Sequence, residues 1–133
     1  MLVWQDSYSV GVNEFDEAHK KLFAYFNEFY DAMQKGRSNE KIGEILDKTF
    51  AYSKQHFESE EKWMAAHHYP DLAAHKEQHR KFRVQVESML SDFRAGKIAM
   101  SGTVSKVLRE WLVNHILQVD QLYGKFNSPK AAA

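Results

Sequence analysis

The sequence predicts an all-α protein, an up-down-up-down four-helix bundle with an extended N-terminal arm. Three observations carry this. Apolar residues recur at three-to-four spacing over four segments of about 20 residues each, the period of one helix face. Glycine and proline are sparse and punctuate the joints between those segments. Strand-like alternation is nowhere sustained, and short joints between long helices make antiparallel neighbours.

The first dozen residues hold Leu2, Val3, Trp4, Tyr8 and Val10 without helical order, which suits an extended arm packed along the bundle. Asn13 followed by Asp16 reads as a helix start, the Asn capping free N–H groups and the Asp reaching back. Phe15, Leu22, Phe23, Phe26, Phe29, Tyr30 and Met33 then form one stripe that Gly36 ends. Ser38 or Asn39 starts a second helix carrying Ile42, Ile45, Leu46, Phe50, His56, Phe57, Trp63 and Met64. Tyr69-Pro70 breaks it, and Pro70 suits the first turn of a third helix, where no N–H partner is lost. That helix carries Leu72, His75, His79, Phe82, Val86, Met89 and Phe93 and stops near Gly96. Gly102-Thr103 opens the last helix, with Val104, Val107, Leu108, Trp111, Leu112, His115, Ile116 and Val119, and Gly124 closes it. Residues 1–126 then form one domain, and the tail 127–133, "NSPKAAA", is expected to fray.

A chain of 133 residues is long enough for one core. Lys plus Arg equals Asp plus Glu at 18 each, so no net basic field exists to hold nucleic acid or an anionic membrane. The start, "MLVWQDSYSVGVNEF", lacks a basic region followed by an apolar run, so no secretory signal is visible. No apolar stretch approaches the length of about 20 residues needed to span a membrane. With no cysteine, neither disulfides nor a thiolate metal site is possible. A cytoplasmic monomer is the expectation.

The chemistry concentrates in the histidines. His67 and His68 stand just before Tyr69-Pro70, at a fraying helix end that favours a cation, and are assigned no chemistry. The other five, His19, His56, His75, His79 and His115, share stripes with aromatic and aliphatic residues and so point into the apolar seam. An unpaired polar group there costs roughly 1–3 kcal/mol. Five such costs in one small core call for a shared partner, and a bound cation satisfies the ring nitrogens together. His56 with Glu60, and His75 with His79, stand four apart, so each pair stacks on one helix face. His115 and Asp120 stand five apart, about 140° around a regular helix, and converge only if the helix is locally widened as at a π-bulge or if the site sits between the two directions. Five imidazoles and two carboxylates exceed the needs of one ion and suit two borderline divalent metals bridged by Glu60 and Asp120. The chain contains no Glu-x-x-His, the repeat of ferritin-like di-iron oxidases, and no His-Glu-x-x-His zinc protease signature.

The constellation His19; His56-x-x-x-Glu60; His75-x-x-x-His79; His115-x-x-x-x-Asp120 resembles the hemerythrin family, in particular its single-domain bacterial form, the bacteriohemerythrins. The resemblance runs from Trp4 to about Phe126, through "DEAHKKLF", "HFESEEKWM", "YPDLAAHKEQH" and "WLVNHILQVDQLYG". It implies two non-haem iron ions, Fe2+ or Fe3+, that bind dioxygen reversibly and without catalysis, for storage, transport or delivery to an oxygen-consuming enzyme. Sensing of oxygen, redox state or nitric oxide at the same site is the alternative. It further implies that His75, His79 and His115 fill one iron, while His19 and His56 hold the other and leave a position open. Glu60, Asp120 and an oxo or hydroxo group would bridge the two irons. Phe57, Trp111, Leu112 and Ile116 match the apolar wall of the family's dioxygen pocket, and ordinary core packing explains the same residues equally well.

Overall fold

The structure, a computed structural model, describes residues 2–97 and 102–127. It is built from four helical rods. They are α1 (Asn13–Gln34), α2 (Asn39–Ala66), α3 (Leu72–Arg94) and a fourth rod. The last comprises α4 (Gly102–Asn114), a π-helical segment (His115–Asp120) and α5 (Gln121–Phe126). No strand occurs among the described residues, and no helix there is long and apolar enough to cross a membrane. The tail expected from residue 127 lies almost wholly outside the described residues.

Local chemistry explains most of the boundaries. Gly36 and Gly96 take φ of 65° and 73° just past α1 and α3, a left-handed turn that a side chain would oppose. At the start of α2, Ser38 caps the helix, its hydroxyl accepting from Lys41 N–H at 3.2 Å. Three expectations shift. Pro70 lies outside the first turn of α3, because Asp71 is the cap and the helix begins at Leu72. Gly124 does not close the fourth rod, which runs on to Phe126. Asn13 is the first helical residue and Val12 precedes it without a side-chain cap. Asp16 reaches back further than the helix start, accepting from Val10 N–H at 2.8 Å and from the Ser9 hydroxyl at 2.6 Å.

Those bonds belong to the arm. It is extended apart from a single 3₁₀ turn at Asp6–Tyr8, and it is pinned at three places. Asn27 on α1 both donates to Leu2 O and accepts from Leu2 N–H, each at 2.8 Å. Asp16 holds residues 9 and 10. Gln121 Nε2 donates to Ser9 O at 2.9 Å and Tyr8 O at 3.2 Å. Trp4, Tyr8 and Phe23 pack ring against ring beneath it. The arm thus ties α1 to the fourth rod.

Two apolar clusters fill the bundle. One, around Phe23, Phe26, Phe29, Leu46, Leu90 and Phe93, lies toward the α1–α2 turn. The other, Val10, Phe15, Met64, Tyr69 and Tyr123, lies toward the opposite end. Along each rod the polar residues of interest fall between members of these two clusters, at mid-depth in the bundle.

Candidate metal centre

The fourth rod sets the geometry of the centre. A regular helix would turn Asp120 away from His115, but the π turn His115–Asp120 absorbs the fifth residue and brings both inward. Their ring nitrogen and carboxylate oxygen approach to 3.0 Å. On α2 and α3 the four-residue spacing needs no such adjustment, so His56 Nε2 stands 3.1 Å from Glu60 Oε1 without distortion.

All seven residues singled out from the sequence meet here, each at most 5% exposed. Their donor atoms form two groups, each lying within 4.8 Å of one another: Glu60 with His75, His79, His115 and Asp120, and Glu60 with His19 and His56. Both carboxylates face two ways. Asp120 Oδ1 lies 3.0 Å from His75 Nε2, while its Oδ2 lies 3.1 Å from His19 Nε2. Glu60 Oε1 lies 3.1 Å from His56 Nε2 and 3.6 Å from His79 Nε2.

These short distances are not hydrogen bonds. His19 Nε2, His56 Nε2, His75 Nε2, Glu60 Oε1 and both Asp120 oxygens are buried and have no aligned partner. Atoms that approach to 3 Å yet point past one another share a target. Ligands about 2.1 Å from a small ion, at right angles around it, stand about 3 Å apart. The donor set therefore fits metal, nitrogen-rich and with two carboxylates, as borderline transition ions prefer.

The charges agree. Burial opposes a charge on His19, yet Asp120 and Glu60 beside it outweigh that and raise its pKa to about 10. Burial and Asp120 push the Glu60 carboxyl up, but His56 and His19 hold it well below the usual carboxylate range. Burial likewise works against Asp120, and His115, His19 and His75 reverse it. His79 goes the other way, lowered to about 3 by burial despite Glu60. Without a cation, a proton on His19 neutralises part of the two buried carboxylates. Metal binding must displace it.

Aromatic rings hold the imidazoles in place. Phe57 stacks on His79 with centroids 3.9 Å apart, and Trp111 stacks on His115 at 4.5 Å with Phe82 on its other face. Phe57, Trp111, Leu112 and Ile116, the residues matched to a pocket wall, all line a cavity of about 70 Å³ that also borders His19 and His56. Its two hydroxyls, Thr49 and Ser53, donate to the Ile45 and Phe50 carbonyls of their own helix. His67 and His68 stay outside: both are exposed, and His67 stacks on Trp63.

Two participants escaped the sequence reading. Tyr123, fully buried, donates its hydroxyl to Glu60 Oε2 at 2.6 Å. Burial and the facing Glu60 and Asp120 charges push that hydroxyl far above the usual tyrosine range, so it stays protonated. Glu61 lies 2.9 Å from His79 Nδ1. Tyr123 had a signal, standing three residues after Asp120 on the same rod; nothing in the sequence separates Glu61, next to Glu60, from a solvated charge.

The Hemerythrin HHE cation binding domain matches residues 10–126 of this chain. The chain belongs to the hemerythrin family. A bacteriohemerythrin of Methylococcus capsulatus is 35% identical over 125 residues, 93% of this chain and 95% of that one. A hemerythrin-like protein of Naegleria gruberi is 36% identical over 121 residues, 90% of this chain and 88% of its own. A crystal structure of wild-type hemerythrin superposes with a TM-score of 0.88 at 34% identity, covering 93% of this chain and 95% of that one. The four-helix bundle and the buried histidine–carboxylate cluster are thus those of a metal-binding hemerythrin.

Proposed function

We propose that this hemerythrin binds dioxygen reversibly at two iron ions and serves oxygen storage or delivery rather than catalysis. The observation that carries this is the convergence of five buried imidazoles and two carboxylates in two groups joined at Glu60, with the inward-facing atoms of His19, His56, His75 and Asp120 and Glu60 Oε1 lacking any hydrogen-bond partner. His75, His79 and His115 would complete one ion, and His19 and His56 would hold the second, with Glu60 and Asp120 reaching both. Iron held by these residues would supply the reversible redox capacity that dioxygen binding needs.

The chain's own residues do the rest. The cavity borders both imidazoles of the second group, His19 and His56, as well as His115 and Asp120, so that is where a diatomic ligand has room. Phe57, Trp111, Leu112 and Ile116 give that room an apolar wall that disfavours water. Thr49 and Ser53 direct their only protons to backbone carbonyls, so neither is a ready proton source for the cavity. A site without proton supply does not readily lose bound oxygen as peroxide. Tyr123 holds Glu60 Oε2 by a charge-assisted bond and fixes the angle at which Glu60 reaches inward.

The test is direct. Aerobically purified protein should contain close to two irons per chain. After reduction it should form a coloured adduct with dioxygen that bleaches under argon. Glu60→Ala and Asp120→Ala should each lose both irons, while His67→Ala and His68→Ala should keep them. One ion per chain, zinc alone, or prompt irreversible oxidation would overturn the proposal.

A further inference from the structure

We infer that Glu61 is a positioning residue of the metal centre, whose carboxylate accepts a hydrogen bond from Nδ1–H of His79 and sets that histidine apart from its neighbours. The inference rests on the metal-binding reading above and adds an outer partner to it. Glu60 and Glu61 are consecutive on α2, so their side chains leave the helix about 100° apart. Glu60 points into the cluster, and Glu61 points to the flank where α3 presents His79. There its Oε2 stands 2.9 Å from His79 Nδ1.

An ionised carboxylate only accepts hydrogen bonds, so Nδ1 must carry the proton and Nε2 must be bare. That is the tautomer a metal ligand needs, with Nε2 already facing Glu60 and His115. Phe57, one turn before Glu61, covers the ring face at 3.9 Å and 7°. Face and edge together leave the ring one orientation. The contrast among the histidines makes this specific: Nδ1 of His19, His75 and His115 is buried with no partner among the described residues. A carboxylate on the far nitrogen makes an imidazole a stronger donor, and loss of such a partner typically weakens metal binding 10- to 100-fold. His79 is thus the electron-rich ligand of the three-histidine group, and whichever ion it holds is biased toward the higher charge.

Glu61→Gln and Glu61→Ala separate charge from geometry, because Gln keeps an acceptor oxygen near Nδ1. Zinc(II) and cobalt(II) affinities of the metal-free proteins, measured against a chromophoric chelator, should fall about 10- to 100-fold in the Ala variant. The Gln variant should fall between it and the parent. Independently of any metal, ¹⁵N shifts of His79 in the metal-free parent should report a protonated Nδ1, and a tautomer mixture in Glu61→Ala. Urea unfolding of the metal-free proteins serves as the structural control. Unchanged tautomer and affinities within about two-fold of the parent would reduce Glu61 to a surface charge. Equal losses in metal affinity and metal-free stability would make its role merely structural. If the parent itself took up only one ion, the two-iron reading would fall, while the tautomer comparison would still decide the role of Glu61.

Discussion

Gly124→Ala puts two physical effects in opposition. Gly124 lies inside α5, and in an exposed helix interior replacing Gly by Ala gains about 1 kcal/mol. A Cβ at this position, however, would stand 2.3 Å from Val10 O, 3.0 Å from Val10 C and 3.2 Å from Val10 Cα. Every one of those atoms is backbone, so no rotamer change relieves the clash. Restoring ordinary contact requires the arm to retreat by about 1 Å. Val10 is only 3% exposed, and full burial of a valine contributes roughly 1.5–3 kcal/mol. The same retreat stretches the bonds from Gln121 to Ser9 and Tyr8, each contributing about 0.5–1.5 kcal/mol. Loss of half the burial and one bond, less the helix gain, leaves a net destabilisation of about 0.3–2 kcal/mol. Urea unfolding of the metal-free protein, followed by circular dichroism, measures it. Gly43→Ala is the matched control, since a Cβ there meets nothing within 4 Å in α2 and should stabilise by up to about 1 kcal/mol. Equal stabilisation by both substitutions would refute the account of arm and helix in contact.

Leu112→Ala should hasten autoxidation of the oxygenated protein, read as the decay rate of its visible band, by letting water into the cavity. Because Leu112 is only half-buried, its stability cost should fall near the low end of the leucine range, about 2 kcal/mol. Tyr123→Phe strips the partner from a buried carboxylate oxygen and should cost about 1–3 kcal/mol in metal-free unfolding, with Glu60 less firmly placed. In the metal-free protein the raised His19 pKa contributes stability that is complete below pH 6.5 and lost as pH rises toward about 10. Unfolding midpoints across that window should fall in the parent and flatten in His19→Gln; a rising parent curve would contradict the pairing with Asp120 and Glu60.

Much of this was legible in the chain because helices are local. The stripe from Phe15 to Met33 and the four-residue pairs His56–Glu60 and His75–His79 fix which side chains share a face, and no long-range knowledge is needed. The five-residue step from His115 to Asp120 left two alternatives, a widened turn or a site between two directions, and the helix takes the widened turn. What escaped depends on contacts between rods. Gly124 looked like a terminator because glycine often ends helices, whereas its role is to admit the Val10 backbone, 114 residues away. Asp16 looked like a helix cap, but its carboxylate goes to Ser9 and Val10. Glu61 is indistinguishable from any solvated glutamate until α3 is placed beside α2.

The π turn has a consequence beyond bringing one carboxylate inward. It behaves as a frameshift written into a helix: one supernumerary residue, and everything after it reads on a different face. Asp120 and Tyr123 look toward the metal centre, while Gln121 and Gly124 look toward the arm. Excising any one residue from 116–119 would restore even winding and turn all four together by about 100°. The centre would lose a ligand and the support of Glu60, and the arm would lose its donor and its berth. A single irregularity therefore phases two unrelated surfaces at once, which makes the length of this segment a stricter requirement than the identity of most residues within it.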